Sequence, residues 1–243
     1  MRKKVLITGA TGGIGSAVAE EFAKEGYDII LHYNSDQKGA FTLMHKLESE
    51  YGVMAHTLQG DLSTDEGAKV FAERAAEFDI DILINNAGAS YQELFQFADE
   101  EKIRKLFEIN LMSALTVTKK VLPKMISNHS GRIINISSMW GIMGASCEVH
   151  YSASKAALVG FTKSLAKEVG PSGITVNCIA PGFIDTKMNG NLTREAVQEI
   201  IESTPVMRKG EGKDVAHLAV FLAGEKAGFI TGQVIAVDGG FTA

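Results

Sequence analysis

Cysteine, net charge and long apolar runs are all scarce in this chain, and each scarcity removes a class of function. Only two cysteines occur, Cys147 and Cys178. They stand at no spacing that suits a metal or a CxxC pair, so neither a disulfide framework nor a thiolate metal centre is expected. The formal net charge is −5 with no block of Lys or Arg, which disfavours a nucleic-acid partner, whose phosphates require a basic face. No apolar run approaches the ~20 residues needed to span a bilayer. The run Val5-Leu6-Ile7 near the N-terminus breaks at once into glycines and is too short for a signal peptide. No membrane partner is expected, and a cytoplasmic location is the default.

What remains is the composition of an ordinary globular chain, with 45% hydrophobic and 22% charged residues among 243. Such a chain buries roughly three quarters of its unfolded surface and needs no covalent staple. Short apolar runs alternate with amphipathic stretches from end to end. Val5-Leu6-Ile7-Thr8 predicts a strand buried on both faces. Ile14, Ala17, Val18 and Phe22 then recur at helical spacing as far as Gly26, a suitable C-cap. Further strands are predicted over residues 29–31, 53–59, 80–84, 132–137, 174–179 and 233–237. Helices are predicted over 37–51, 64–78, about 99–127, 151–169, 194–203 and 213–223. Regular alternation with continuous apolar strands implies an α/β fold. The expectation is one doubly wound, Rossmann-type domain over residues 1–243, a mostly parallel seven-stranded sheet with helices on both faces. The least regular stretch, 181–193, holds Gly182, Asn189, Gly190 and Asn191 and is expected to be a mobile loop near the site.

Between the first strand and first helix lies Thr8-Gly9-Ala10-Thr11-Gly12-Gly13-Ile14-Gly15. Glycines let the backbone turn sharply and approach a pyrophosphate without Cβ clashes. The helix start supplies free N–H groups and a positive dipole end. Dinucleotides bind beyond the carboxyl ends of such strands, although a strand-to-helix turn can need glycine for structure alone.

The spacing Gly-x-x-x-Gly-x-Gly resembles the short-chain dehydrogenase/reductase family, and the rest of the chain resembles it in order: Asn85-Asn86-Ala87-Gly88, Asn110, Ser138, Tyr151-x-x-x-Lys155, and Pro181-Gly182 through Ile184 and Thr186. The resemblance implies a catalytic set of Asn110, Ser138, Tyr151 and Lys155. It implies cofactor contacts from Gly9, Thr11, Gly12, Gly13, Ile14 and Gly15, from Asn34, Asp61 and Leu62, from Asn86, Ala87 and Gly88, from Tyr151 and Lys155, and from Pro181, Gly182, Ile184 and Thr186.

Reducing a ketone requires a hydride from one side and a proton from the other. A free tyrosine, with a pKa near ~10, is a sluggish proton donor at neutral pH. A cation four residues on along a helix shares its face and favours the phenolate, so Lys155 is expected to lower the Tyr151 pKa into a useful range. The Ser138 hydroxyl is expected to hold the substrate oxygen. By resemblance, Lys155 also holds the nicotinamide ribose and Asn110 anchors a proton-relaying water. His150, a rival acid, should point elsewhere, because adjacent helix positions diverge.

The second strand ends His32-Tyr33-Asn34-Ser35 without a carboxylate, and Asp36 is expected to start the next helix. An acid at that strand end would repel a 2′-phosphate, so NADP is favoured over NAD. Asp61-Leu62 match the family's adenine-edge pair, or Asp61 simply caps a turn.

Within the family the pattern most resembles the 3-oxoacyl-acyl-carrier-protein reductases of fatty-acid synthesis. His129 and Ser172 stand where those reductases tend to carry arginines. The segment from Met139 to Glu148 is similar instead to a branch that reduces a 5-aminopentanone group on elongation factor P. Trp140, Cys147 and Glu148 are expected to line the substrate pocket, with Glu148 suited to a cationic amine. A third alternative is a non-catalytic nucleotide-binding relative. The resemblance also implies a homotetramer built on the helices around residues 110–127 and 151–169 and on the C-terminal strand region.

Overall fold

The computed structural model describes residues 2–187, 190 and 193–243. The expected mobile loop falls partly on Asn189 and Asn191, which lie outside the described residues. Strand β1 (Lys4–Ile7) leads through α1 (Gly13–Lys24), β2 (Asp28–Tyr33), α2 (Gln37–Tyr51), β3 (Ala55–Gln59) and α3 (Asp65–Ala76) to β4 (Ile82–Asn85). The second half runs α4 (Glu100–Phe107), α5 (Ser113–Ser127), β5 (Gly131–Ile136), α6 (Trp140–Met143), α7 (Val149–Val169), β6 (Ile174–Pro181), α8 (Arg194–Glu202), α9 (Gly212–Ala223) and β7 (Val234–Val237).

The seven strands form one sheet in the order β3-β2-β1-β4-β5-β6-β7, every pair parallel. Parallel strands need crossover helices, which cover both faces. Side chains alternate accordingly. Val5 and Ile7 of β1 face a core shared with α1, α2 and α9, whereas Leu6 faces one shared with α3, α5 and α7. All three are fully buried, and truncating any one to alanine should cost about 2–5 kcal/mol. The strand order reverses between β1 and β4, which opens a crevice at their carboxyl ends. Among the described residues no helix is long and apolar enough to cross a membrane.

Local chemistry sets the element ends. Asp36 caps α2 by accepting from the Gly39 N–H at 3.0 Å, and Thr64 caps α3 through the Gly67 N–H at 3.1 Å. Gly52 closes α2 with φ +64°, and Gly26 stands just beyond the Glu25 cap of α1 at φ +81°.

The helices expected over 99–127 are α4 and α5, and Pro123 lies inside α5, late in that stretch. The turn between them, Glu108–Met112, is π-helical and carries Asn110, a departure from the periodicity. The short helix α6 was not anticipated, since four residues are too few to show a period.

Candidate active site

A cleft of about 900 Å³ follows the switch point, from Asn34, Ser35 and Asp36 at one end, across the glycine turn, to Tyr151 and Lys155 at the other. Gly9 adopts φ +64°. A Cβ on Gly15 would fall 2.9 Å from Ala10 Cα and 2.8 Å from Asn86 Nδ2, and one on Gly13 would fall 2.7 Å from Thr186 Cγ2. The glycines at 13 and 15 are therefore required by close packing as well as by chain direction. Gly12 precedes α1 without a side-chain cap, so the N–H groups of this helix start are not taken up by a capping side chain.

The turn is held from two sides. Asn86 Nδ2 donates to the carbonyls of Thr8 at 2.9 Å and Gly9 at 3.1 Å, and Thr8 Oγ1 accepts from the N–H groups of Asn86 and Ala87, both at 2.9 Å. From β2, His32 Nδ1 accepts from the Gly9 N–H at 2.8 Å, while its Nε2 stands 3.1 Å from the Gly60 carbonyl. Nδ1 must be unprotonated to accept, so Nε2 carries the proton and the ring is neutral. Burial drives the His32 pKa down to about 4. Sequence reasoning quoted His32 but gave it no role, because a histidine ending an apolar strand has no distinguishing neighbour.

The expected catalytic residues lie around the far end. Tyr151 and Lys155 are buried on the first turns of α7. Lys155 Nζ lies 5.8 Å from the centre of the Tyr151 ring and donates to the Ile136 carbonyl at 2.9 Å. The expected lowering of the tyrosine pKa is not found. Burial pushes the Tyr151 phenol up to about 12, opposed by a hydrogen bond with Ser138. Burial also pulls the Lys155 ammonium down to about 8. In the protein alone, desolvation outweighs the helical pairing of the two groups.

Ser138 lies two residues beyond β5 and accepts from the Trp140 N–H at 3.2 Å. Asn110 is buried in the π-helical turn. Its Oδ1 accepts from the Ala89 N–H at 2.8 Å, and its Nδ2 donates to the Ala89 carbonyl and to Ser154 Oγ, both at 3.0 Å. A π-turn adds a residue to the helical ladder, and here the widened turn directs Asn110 toward the loop after β4. A Cβ on Gly88 would lie 3.2 Å from Lys155 Nζ and 3.4 Å from Asn110 Oδ1, so this glycine leaves room for both.

The remaining expected residues divide. Thr11, Ile14, Leu62, Ala87 and Thr186 line the cleft with the residues already named. Asp61 does not. It is exposed and accepts from the Ser63 N–H at 2.9 Å, the turn-capping alternative. Pro181 ends β6 paired with Val237, the Gly182 N–H donates to the Val237 carbonyl at 3.0 Å, and Ile184 packs its side chain into the core. Asp36 does line the cleft, but its carboxylate is turned onto its own helix.

In the segment expected to line the substrate pocket, Trp140 is half-buried against Phe241, with ring centres 5.8 Å apart and nearly perpendicular. The Cys147 carbonyl accepts from the Glu93 N–H at 2.9 Å, and Glu148 accepts from Gln92 at 2.9 Å. His150 turns away as expected, stacking on Tyr91 with Nε2 3.1 Å from the Tyr91 carbonyl. Ser154, like His32, has no role legible in the sequence, and Phe241 carries no sequence signal at all.

A sequence model of the family described as short chain dehydrogenase matches residues 3–197. The chain is 42% identical over 241 residues to the uncharacterized oxidoreductase YmfI of Bacillus subtilis (strain 168), covering 99% of each. It is also 42% identical over 240 residues to the 3-oxoacyl-[acyl-carrier-protein] reductase FabG of Aquifex aeolicus (strain VF5), covering 98% of this chain and 96% of the relative. Among solved structures it resembles a blue fluorescent protein from a metagenomic library in complex with NADPH, with a TM-score of 0.92 and 33% identity over 99% of this chain and 98% of that one.

Proposed function

Since the chain belongs to the short chain dehydrogenase family, we propose that it is an NADP-dependent reductase of ketones, acting on 3-oxoacyl thioesters borne by acyl carrier protein. The observation that carries the reading is one cleft with two chemically distinct ends. One end is a glycine turn at an uncapped helix start, suited to a pyrophosphate, and the other holds Tyr151 and Lys155, with Ser138 hydrogen-bonded to Tyr151. The cleft's volume of about 900 Å³ and its glycine cradle fit a dinucleotide. Asn34 and Ser35 follow β2 without a carboxylate at the strand end, and the Asp36 carboxylate, though charged, is turned onto the Gly39 N–H of its own helix, an arrangement that favours NADP over NAD.

NADPH, when bound, supplies the hydride. The protein's own residues handle the proton. Ser138 Oγ holds the ketone oxygen beside the Tyr151 hydroxyl. As negative charge grows on that oxygen, Tyr151 gives up its proton to it. The phenolate left behind is stabilised by the Lys155 ammonium, which Ile136 positions. Asn110 keeps the loop at Ala89 in place beneath the reacting groups. The names of the FabG relative and of the NADPH-bound structure support this reading.

A second reading, reduction of a 5-aminopentanone group on elongation factor P, is favoured by one local observation. Glu93 Oε2 is buried without a hydrogen-bond partner among the described residues, on a loop tied to Cys147, and Glu148 follows directly. Two carboxylates on adjoining segments, one of them just before Tyr151, suit an ammonium better than a thioester. Rapid NADPH-dependent turnover of an acetoacetyl thioester supports the first reading. Negligible turnover, with reduction of the aminoketone-bearing factor, replaces it with the second.

We also propose a homotetramer. Ala153, Ala156 and Gly160 lie exposed along α7, where small side chains permit close helix approach. Light scattering at the mass of one chain would refute it.

A further inference from the structure

We infer that Phe241, in the turn following β7, is a specificity-determining wall of the ketone site, acting through Trp140. This rests on the ketone-reductase reading above. Trp140 is two residues from Ser138, and its backbone N–H donates to the Ser138 hydroxyl oxygen at 3.2 Å, so the main chain that carries the indole is tied to the group assigned to the substrate oxygen. The helix carrying it cannot move inward. A Cβ on Gly141 would lie 2.7 Å from Ser137 Oγ and 2.9 Å from the main chain of Lys155, so α6 is already in close contact with α7. The other side of the indole is set by the edge of the Phe241 ring.

Phe241 is itself firmly placed. Asp238 accepts from the Gly240 N–H at 2.9 Å, the Thr242 N–H at 2.9 Å and the Thr242 hydroxyl at 2.6 Å, which folds 238–243 into a tight turn. Gly239 and Gly240 both adopt positive φ there, +66° and +88°. A Cβ on Gly182 would lie 2.6 Å from Asp238 Cα, so the turn also packs on the loop leaving β6. The turn thus links the loop leaving β6 to α6, and Phe241 limits the space into which Trp140 can swing when a bulky ketone substituent enters. The chain's single tryptophan makes its surroundings directly observable.

The test compares Phe241→Ala and Phe241→Tyr with the unaltered protein, using ethyl acetoacetate and ethyl benzoylacetate as small and bulky ketones. Phe241→Ala should raise the bulky-to-small ratio of kcat/KM by about 5-fold or more, within the range by which pocket volume changes discriminate substrates. It should also shift tryptophan emission to the red and leave the Kd for NADPH unchanged. Phe241→Tyr should restore the original ratio. A ratio unmoved in Phe241→Ala, whatever the emission does, overturns the inference and leaves the reductase reading intact. An unaltered protein that reduces neither these ketones nor thioester or aminoketone substrates overturns the reductase reading and this inference with it.

Discussion

The Gly9 N–H donates to Nδ1 of His32 at 2.8 Å, so the first glycine of the cofactor turn is held by a neutral imidazole from the adjacent strand. Protonating that nitrogen would leave two donors facing each other in a buried place. The folded protein therefore resists protonation, with a His32 pKa of about 4 against 6.5 when unfolded. Between those values the unfolded chain binds more protons, so stability rises with pH there. We expect the melting temperature to fall as pH drops from 6.5 toward 4, and His32→Asn to flatten that dependence while weakening NADPH binding at neutral pH. Parallel melting curves for the two proteins across that range would contradict the role.

Tyr151→Phe removes the proposed proton donor and little else. Turnover should fall by about 100-fold or more, the usual worth of general acid catalysis, while NADPH titration by fluorescence shows an unchanged Kd. A Phe variant retaining most of its turnover would eliminate Tyr151 as the acid.

The role proposed for Lys155 comes at a cost to the fold. Its ammonium is buried, and the pKa falls to about 8 from 10.5. At neutral pH the charge is retained and its desolvation is unfavourable. Lys155→Met should be nearly inactive yet more stable than the parent at pH 7, by about 1–3 kcal/mol. From pH 8 to 10.5 the unfolded parent binds the extra proton, so parent stability rises and the gap should close. Denaturant melts at pH 7 and pH 10 measure this, and a less stable Met variant at pH 7 would show that the Ile136 bond outweighs desolvation.

Gly15→Ala places a methyl against the Gly9 carbonyl, Ala10 and Asn86 Nδ2. None of these can retreat without opening the turn, so NADPH affinity should fall by about 10-fold or more, corresponding to at least ~1.4 kcal/mol of lost binding. Calorimetric titration giving parental affinity would mean the turn adjusts freely.

The alternation of apolar runs was enough to locate all seven strands and the long helices along the chain, because buried parallel strands must be apolar throughout and crossover helices must show a stripe. Gln37–Tyr51 was predicted to the residue, since Asp36 and Gly52 mark its ends chemically. The glycine turn, Asn110, Ser138, Tyr151 and Lys155 were legible as motifs because each lies on a short contiguous string. Contacts made across the sheet left no such trace. His32 reaches Gly9 and Gly60 only because β2 pairs between β1 and β3, and Phe241 meets Trp140 only because β7 pairs with β6. The pKa values of Tyr151 and Lys155 likewise depend on how completely α7 is covered. Helical spacing sets their neighbourhood, while burial, a property of the whole fold, decides the sign of the shift.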